Sequence, residues 1–81
     1  EPALQIANLE LTAGKYSQAK SMAQQAISKG VKQQGNAYLV LAESERGLHD
    51  KTARIEALKQ AAQHPESAAH AKELLKKLGA S

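Results

Sequence analysis

The chain of 81 residues has no cysteine, no tryptophan and no phenylalanine, and only two prolines and two tyrosines. Each shortage closes off some chemistry. Without cysteine there is no disulfide and no thiolate zinc site, although the compartment stays open between cytoplasm and periplasm. With two tyrosines and two arginines, the aromatic stacking and guanidinium contacts typical of nucleic-acid binders are thinly supplied. No apolar run approaches the roughly 20 residues of a membrane-spanning helix, and no secretory leader pattern is visible. Charge leans only slightly one way. The net charge of +3 is spread along the chain, with four Lys against two Glu in residues 1–35 and four charges of each sign in residues 36–65. Lys72, Lys76 and Lys77 face Glu66 and Glu73 in the remainder. Nucleic acid is disfavoured as a partner on this pattern. The chain opens on Glu-Pro without an initiator Met, which reads as a piece of a longer protein.

What the sequence does have is alanine. Sixteen of its 34 hydrophobic residues are Ala, the best helix former, while β-branched and aromatic residues are few. The fold class that follows is all-α, with a thin core that depends on close backbone approach. Five glycines punctuate the chain, and between them lie segments of helical length. "PALQIANLELTA" opens on Pro2, suited to a first helical turn. "YSQAKSMAQQAIS" places Tyr16, Ala19, Ala23, Ala26 and Ile27 on one stripe. "NAYLVLAESER" follows a candidate cap at Asn36, and "KTARIEALKQAAQ" follows one at Asp50. "PESAAHAKELLKKL" begins at Pro65 and closes on Gly79, with Lys76 and Lys77 placed to favour the helix dipole. The apolar run 37–42 fits a buried strand on periodicity alone, but its helical neighbours argue for helix.

The pattern repeats. Ile6-Ala7-Asn8-Leu9-Glu10 overlays Leu39-Val40-Leu41-Ala42-Glu43, and Gly14 falls on Gly47, a displacement of 33 residues. Beyond the corner the displacement becomes 34, pairing Ala19 with Ala53 and Ala23 with Ala57. A helix–corner–helix unit of about 34 residues marks a helical repeat array. These residues resemble the tetratricopeptide repeat (TPR) family: Ala7, Gly14, Tyr16, Ala19 and Ala26 in the first unit, and Gly47, Ala53 and Pro65 in the second. Departures include Ala3 and Asn36 at the early aromatic position, Val31 at the first Pro, and His49 at the second corner aromatic. The resemblance implies a right-handed superhelical stack of antiparallel helix hairpins, with repeat 1 at about 1–32, repeat 2 at about 33–64 and a capping helix at about 65–79. It also implies a C-terminal piece of a larger protein. The Ala- and Gln-rich composition reads as bacterial.

The catalytic constellations fail one by one. Gly14-Lys15 lacks the second glycine, the following Ser or Thr and the preceding strand of a phosphate loop; it reads as a corner. His49, His64 and His70 lack the three- or four-residue spacing of a helical metal pair. The serines sit in no strand–turn–helix elbow, and Glu43 and Glu45 fall on different helix faces. The sequence therefore points away from an enzyme, a cofactor and a small-molecule substrate. The resemblance implies instead a protein-interaction module that holds a peptide segment on the concave face of its first helices. It places Leu4, Gln5, Asn8, Leu11 and Thr12 there from the first repeat, and Ala37, Tyr38, Leu41, Ser44 and Glu45 from the second. Tyr38 and Asn8 are the foremost candidates. With Leu4 and Ala37 at the places of the carboxylate clamp, no preference for acidic C-terminal peptides is implied. Two alternatives stand beside this: an end cap of a longer array with its binding site upstream, or a weakly basic module touching nucleic acid. Leu4, Ile6, Leu9 and Leu11 spread around the first helix, which predicts a missing neighbour or a homodimer through that end.

Overall fold

Segments rich in Ala, Leu, Gln and Lys lose little side-chain freedom on entering a helix. Five such segments are helical in the computed structural model of the chain. They are α1 (Pro2–Thr12), α2 (Tyr16–Ser28), α3 (Gln34–Gly47), α4 (Lys51–Ala61) and α5 (Ala68–Lys77). The structure describes residues 2–30 and 32–79, and among these there is no strand; the run 37–42 lies inside α3. Each helix packs against the next in chain order, and α1 also reaches α3. The all-α expectation holds.

Two helix starts differ from the sequence reading. Asn36 does not cap a helix beginning at Ala37: α3 starts earlier, at Gln34, and the Asn36 side-chain amide donates instead to Gln33 Oε1 at 3.3 Å. Pro65 does not open the last helix, which begins at Ala68. Local turns hold the intervening residues. The Ser67 amide donates to the His64 carbonyl at 3.1 Å, and the Ser67 hydroxyl, fully buried, donates to the Ala61 carbonyl at 2.7 Å. That carbonyl, at the end of α4, accepts from the His64 amide as well, at 3.2 Å. Asp50 does cap α4, its Oδ1 accepting from the Ala53 amide at 3.1 Å.

Among the described residues, nine of the twelve buried hydrophobic side chains are alanines. One cluster, Ala7, Ala23, Ala26, Ala37 and Val40, joins α1, α2 and α3, with Met22 and Ile27 against its rim. A second, Ala42, Ala57, Leu58 and Leu75, joins α3, α4 and α5. Small residues on facing stripes let helix axes come close, and dispersion between backbones substitutes for bulky side chains. Among the described residues, Leu58 is the one large apolar side chain with no exposed surface; removing it from water contributes about 2–3 kcal/mol.

The two corners are equivalent, but not where the glycines align. Around the first, the Ala13, Gly14 and Lys15 amides donate to the carbonyls of Leu9, Leu11 and Glu10 at 3.0, 3.1 and 2.8 Å. Around the second, the amides of Leu48, His49 and Asp50 donate to Ser44, Arg46 and Glu45 at 3.0, 3.1 and 3.0 Å. Every donor and acceptor is displaced by 35 residues. The residue with positive φ is Gly14 (+78°) in the first corner and His49 (+62°) in the second. Burial follows the same displacement: Ala7 with Ala42, Ala23 with Leu58 and Ala26 with Ala61 are all fully buried. The sequence pairing of Gly14 with Gly47 is therefore corrected by two residues. Gly47 is the last residue of α3, and a Cβ there would land inside the ring of Tyr16. Its glycine is needed for the approach of a neighbouring ring, whereas Gly14 is needed for backbone conformation.

Candidate functional site

The register displaces the expected site. The cleft of about 340 Å³ between α1 and α3 is lined by Asn8 and Leu11 from α1, by Asn36, Leu39, Val40 and Glu43 from α3, and by Gln33 just before α3. At the 35-residue displacement, Leu4, Gln5 and Asn8 correspond to Leu39, Val40 and Glu43, the residues that α3 does contribute. Of the expected α1 set only Asn8 and Leu11 line the cleft, and the expected α3 residues stand two positions away from those that do, about half a helical turn. A signal for the true register was present: Leu4 matches Leu39, Ala7 matches Ala42, Glu10 matches Glu45 and Ala26 matches Ala61 at that displacement. The match of Gly14 with Gly47, together with the Ile6–Glu10 overlay and the Ala19/Ala53 and Ala23/Ala57 pairs, outweighed these.

Of the α1 residues assigned to the site, Gln5, Asn8 and Thr12 are exposed and Leu11 is half-buried against the first cluster. The Thr12 hydroxyl donates to the Asn8 carbonyl at 3.0 Å. The side chain of Leu4 lies outside the described residues. From the second set, Ala37, Ser44 and Glu45 are buried and do not line this cleft. Ala37 belongs to the first cluster, and the Ser44 hydroxyl donates to the Val40 carbonyl at 2.9 Å, one turn back. Leu41 is half-buried between the two clusters. The Tyr38 ring stacks on His64, centroids 6.0 Å apart and planes 22° from parallel, so its face is occupied within the chain.

Glu45 is held by Lys20 of α2, Nζ to Oε1 at 3.3 Å. The approach is off-axis, and Oε1 receives no well-aligned hydrogen bond. The pair ties the two helix hairpins together by charge rather than by directed bonding. Glu43 is different: its side chain is 34% exposed and pairs with the more exposed Arg46 at 3.1 Å, three residues on in the same helix. At the N-terminus of α3 the Gly35 amide donates to Glu66 Oε2 at 2.9 Å. Hydrogen bonds from its own backbone amide and then from Gly35 hold Glu66 below the usual glutamate range. Partial desolvation opposes the shift, and the charge of His64 adds to it. A second hollow of about 380 Å³ lies at the other corner, between charged residues of α3 and α4 (Glu45, Arg46, Asp50, Lys51, Arg54) and Leu78. Among the described residues no three His, Asp or Glu side chains gather as metal ligands, and no helix is long and apolar enough to cross a membrane.

Fold and cleft together define an all-α chain with a repeated helix–corner–helix unit and an open, uncharged-to-acidic groove between the two equivalent first helices. Known proteins add no neighbour to this: no family model, no curated protein and no solved structure matches the chain.

Proposed function

We propose that the chain is a non-catalytic protein-recognition module of the TPR-like helical-repeat kind, holding a peptide segment of a partner protein in the cleft between α1 and α3. One observation carries the reading. Two helices equivalent in the 35-residue register present amide and aliphatic side chains to the same open cleft, Asn8 and Leu11 opposite Asn36 and Leu39. Amides serve a peptide backbone because each both donates and accepts, and the flanking leucines offer apolar surface to side chains. The test is a phage-displayed peptide selection against the folded chain, followed by amide-resonance mapping of a selected peptide. Perturbations centred on Asn8, Leu11, Asn36 and Leu39 are expected. A peptide that instead maps to α4 and α5 would defeat the reading.

A second reading concerns the outer face of α1. Ile6 and Leu9 are 43% and 70% exposed. In the 35-residue register they stand where Leu41 and Ser44 stand on α3. There Ser44 is buried and Leu41 packs against the first cluster, which includes Ala23 and Ala26 of α2. The face is one that the repeat covers elsewhere, and it supports self-association through α1. The opposite end offers Lys72, Glu73, Lys76 and Lys77, all exposed. A head-to-tail contact would bury those charges, so a two-fold α1–α1 pair is the favoured geometry. Leu11, grouped with this face in the sequence reading, packs inward instead. Sedimentation should show a dimer that Leu9→Lys dissociates, and a monomer at high concentration would end the idea.

A further inference from the structure

We infer that the α1–α3 cleft selects peptides carrying a lysine or arginine, and that the cation seats against Glu43. This rests on the cleft reading above and adds the chemistry of the ligand. Among the seven described residues that line the cleft, Glu43 is the one ionised group; the others are amides and aliphatics. Its carboxylate is half-buried, where a charge pair counts for more than at an open surface. Its partner Arg46 is 60% exposed and lines the hollow at the second corner rather than the cleft. The Arg46 end of the pair is open to solvent and screened, so a cation seated within the cleft can replace it. It is Glu43 Oε1 that meets the Arg46 guanidinium.

The rest of the cleft suits the stem and backbone around such a cation. Leu11 and Leu39 lie where the methylenes of a Lys or Arg can cover apolar surface. The Asn36 amide already donates to Gln33 Oε1, which leaves the Gln33 amide nitrogen and Asn36 Oδ1 for a peptide backbone. The chain as a whole carries +3, so its long-range field repels cationic ligands. A preference for basic peptides must therefore arise locally, and it separates this site from non-specific attraction of acidic ligands to surface lysines.

The experiment starts from a phage-displayed library of random dodecapeptides selected on the intact chain. The consensus is then synthesised with its basic residue as Lys, Gln or Glu, and affinities are measured by fluorescence anisotropy. A consensus with one Lys or Arg beside aliphatic residues is expected. Lys→Gln in the peptide should weaken binding roughly tenfold, the scale of a partly desolvated charge pair. The Glu43→Gln variant should bind Lys and Gln peptides alike, and Arg46→Gln, which releases Glu43, should increase the advantage of Lys. Circular dichroism confirms that both variants keep their helix content. Neutral or acidic consensus peptides, or a Lys advantage that survives Glu43→Gln, would overturn the inference while leaving the cleft reading intact if Asn8→Ala and Leu39→Ala still weaken binding. No enriched peptide, or binding indifferent to Asn8→Ala and Leu39→Ala, would overturn both.

Discussion

The corner around Gly14 and the corner around His49 make the same backbone hydrogen bonds with different residues. In the first, a glycine takes the left-handed conformation without cost. In the second, a histidine takes it and bears the Cβ clash. The second unit puts its nearby glycine two residues earlier, at Gly47, because the Tyr16 ring of the first unit lies against that point of α3. Packing between units has thus claimed the glycine that local geometry would have used. Equivalent backbone does not require equivalent chemistry, and the two helix pairs differ most where one touches the other.

The largest expected effect tests the core difference between the units. Leu58 of α4 corresponds to Ala23 of α2, and both are fully buried. Leu58→Ala should cost about 2–5 kcal/mol in urea unfolding, since it removes a fully buried large side chain from a core built mostly of alanine. Ala23→Leu should also destabilise, by about 1–3 kcal/mol, because α1, α2 and α3 meet there without spare room. Were Ala23→Leu neutral, the close-approach account of the first cluster would be wrong.

Next comes the glycine displaced from the corner. Gly47→Ala should cost about 1–3 kcal/mol through collision with Tyr16, although Ala is otherwise the better helix residue. At the equivalent position Thr12→Ala should change stability by less than about 0.5 kcal/mol, as an exposed site does. Removing the ring relieves the collision, so Gly47→Ala combined with Tyr16→Ala should be non-additive.

The charge tie gives a smaller contrast. Glu45 is buried and paired with Lys20, whereas Glu10, its counterpart, is half-buried without an ion pair among the described residues. Lys20→Met should cost about 1–2 kcal/mol, less than a fully buried pair because Lys20 is partly exposed. Glu10→Gln should be close to silent in the same thermal melts.

Smaller still is the corner itself. His49→Gly should raise stability by about 0.5–1 kcal/mol, and Gly14→Ala should lower it by about 1 kcal/mol. If both changes left the melting temperature unmoved, the corners would not share the left-handed conformation. The smallest effect is the acid dependence at Glu66. Its pKa is lowered in the folded chain, so its contribution is present above the ordinary glutamate value near about 4.3 and fades as pH falls through the folded one. Glu66→Gln should flatten that part of the stability-against-pH curve, lowering stability slightly at neutral pH and leaving it unchanged in acid, where the wild-type contribution is already lost.

Much of this was readable beforehand, and for physical reasons. Helix content follows from Ala, Leu, Gln and Lys, a property each residue carries with it. Asp50 as a cap and Gly14 as a turn are local choices settled within a few residues. The α1 side of the cleft was found through Asn8 and Leu11. The expected α3 residues fall outside the cleft because the register was anchored on Gly14 with Gly47 and the segments beside them, and nothing local distinguishes a glycine kept for φ from one kept for a neighbour's ring. Tyr38 was chosen for contact area and polar tip, yet His64 from the turn after α4 covers its face.

The sequence alone determined that the chain is helical, roughly where its helices break, and that a helix–corner–helix unit recurs, because these depend on propensity and short-range sterics. Only the tertiary structure decided the 35-residue register, the burial of Ala37, Ser44 and Glu45, and the exposure of Glu43 to the cleft. Those depend on which face of α3 the helices on either side cover, and a shift of two residues turns that face by about 200°.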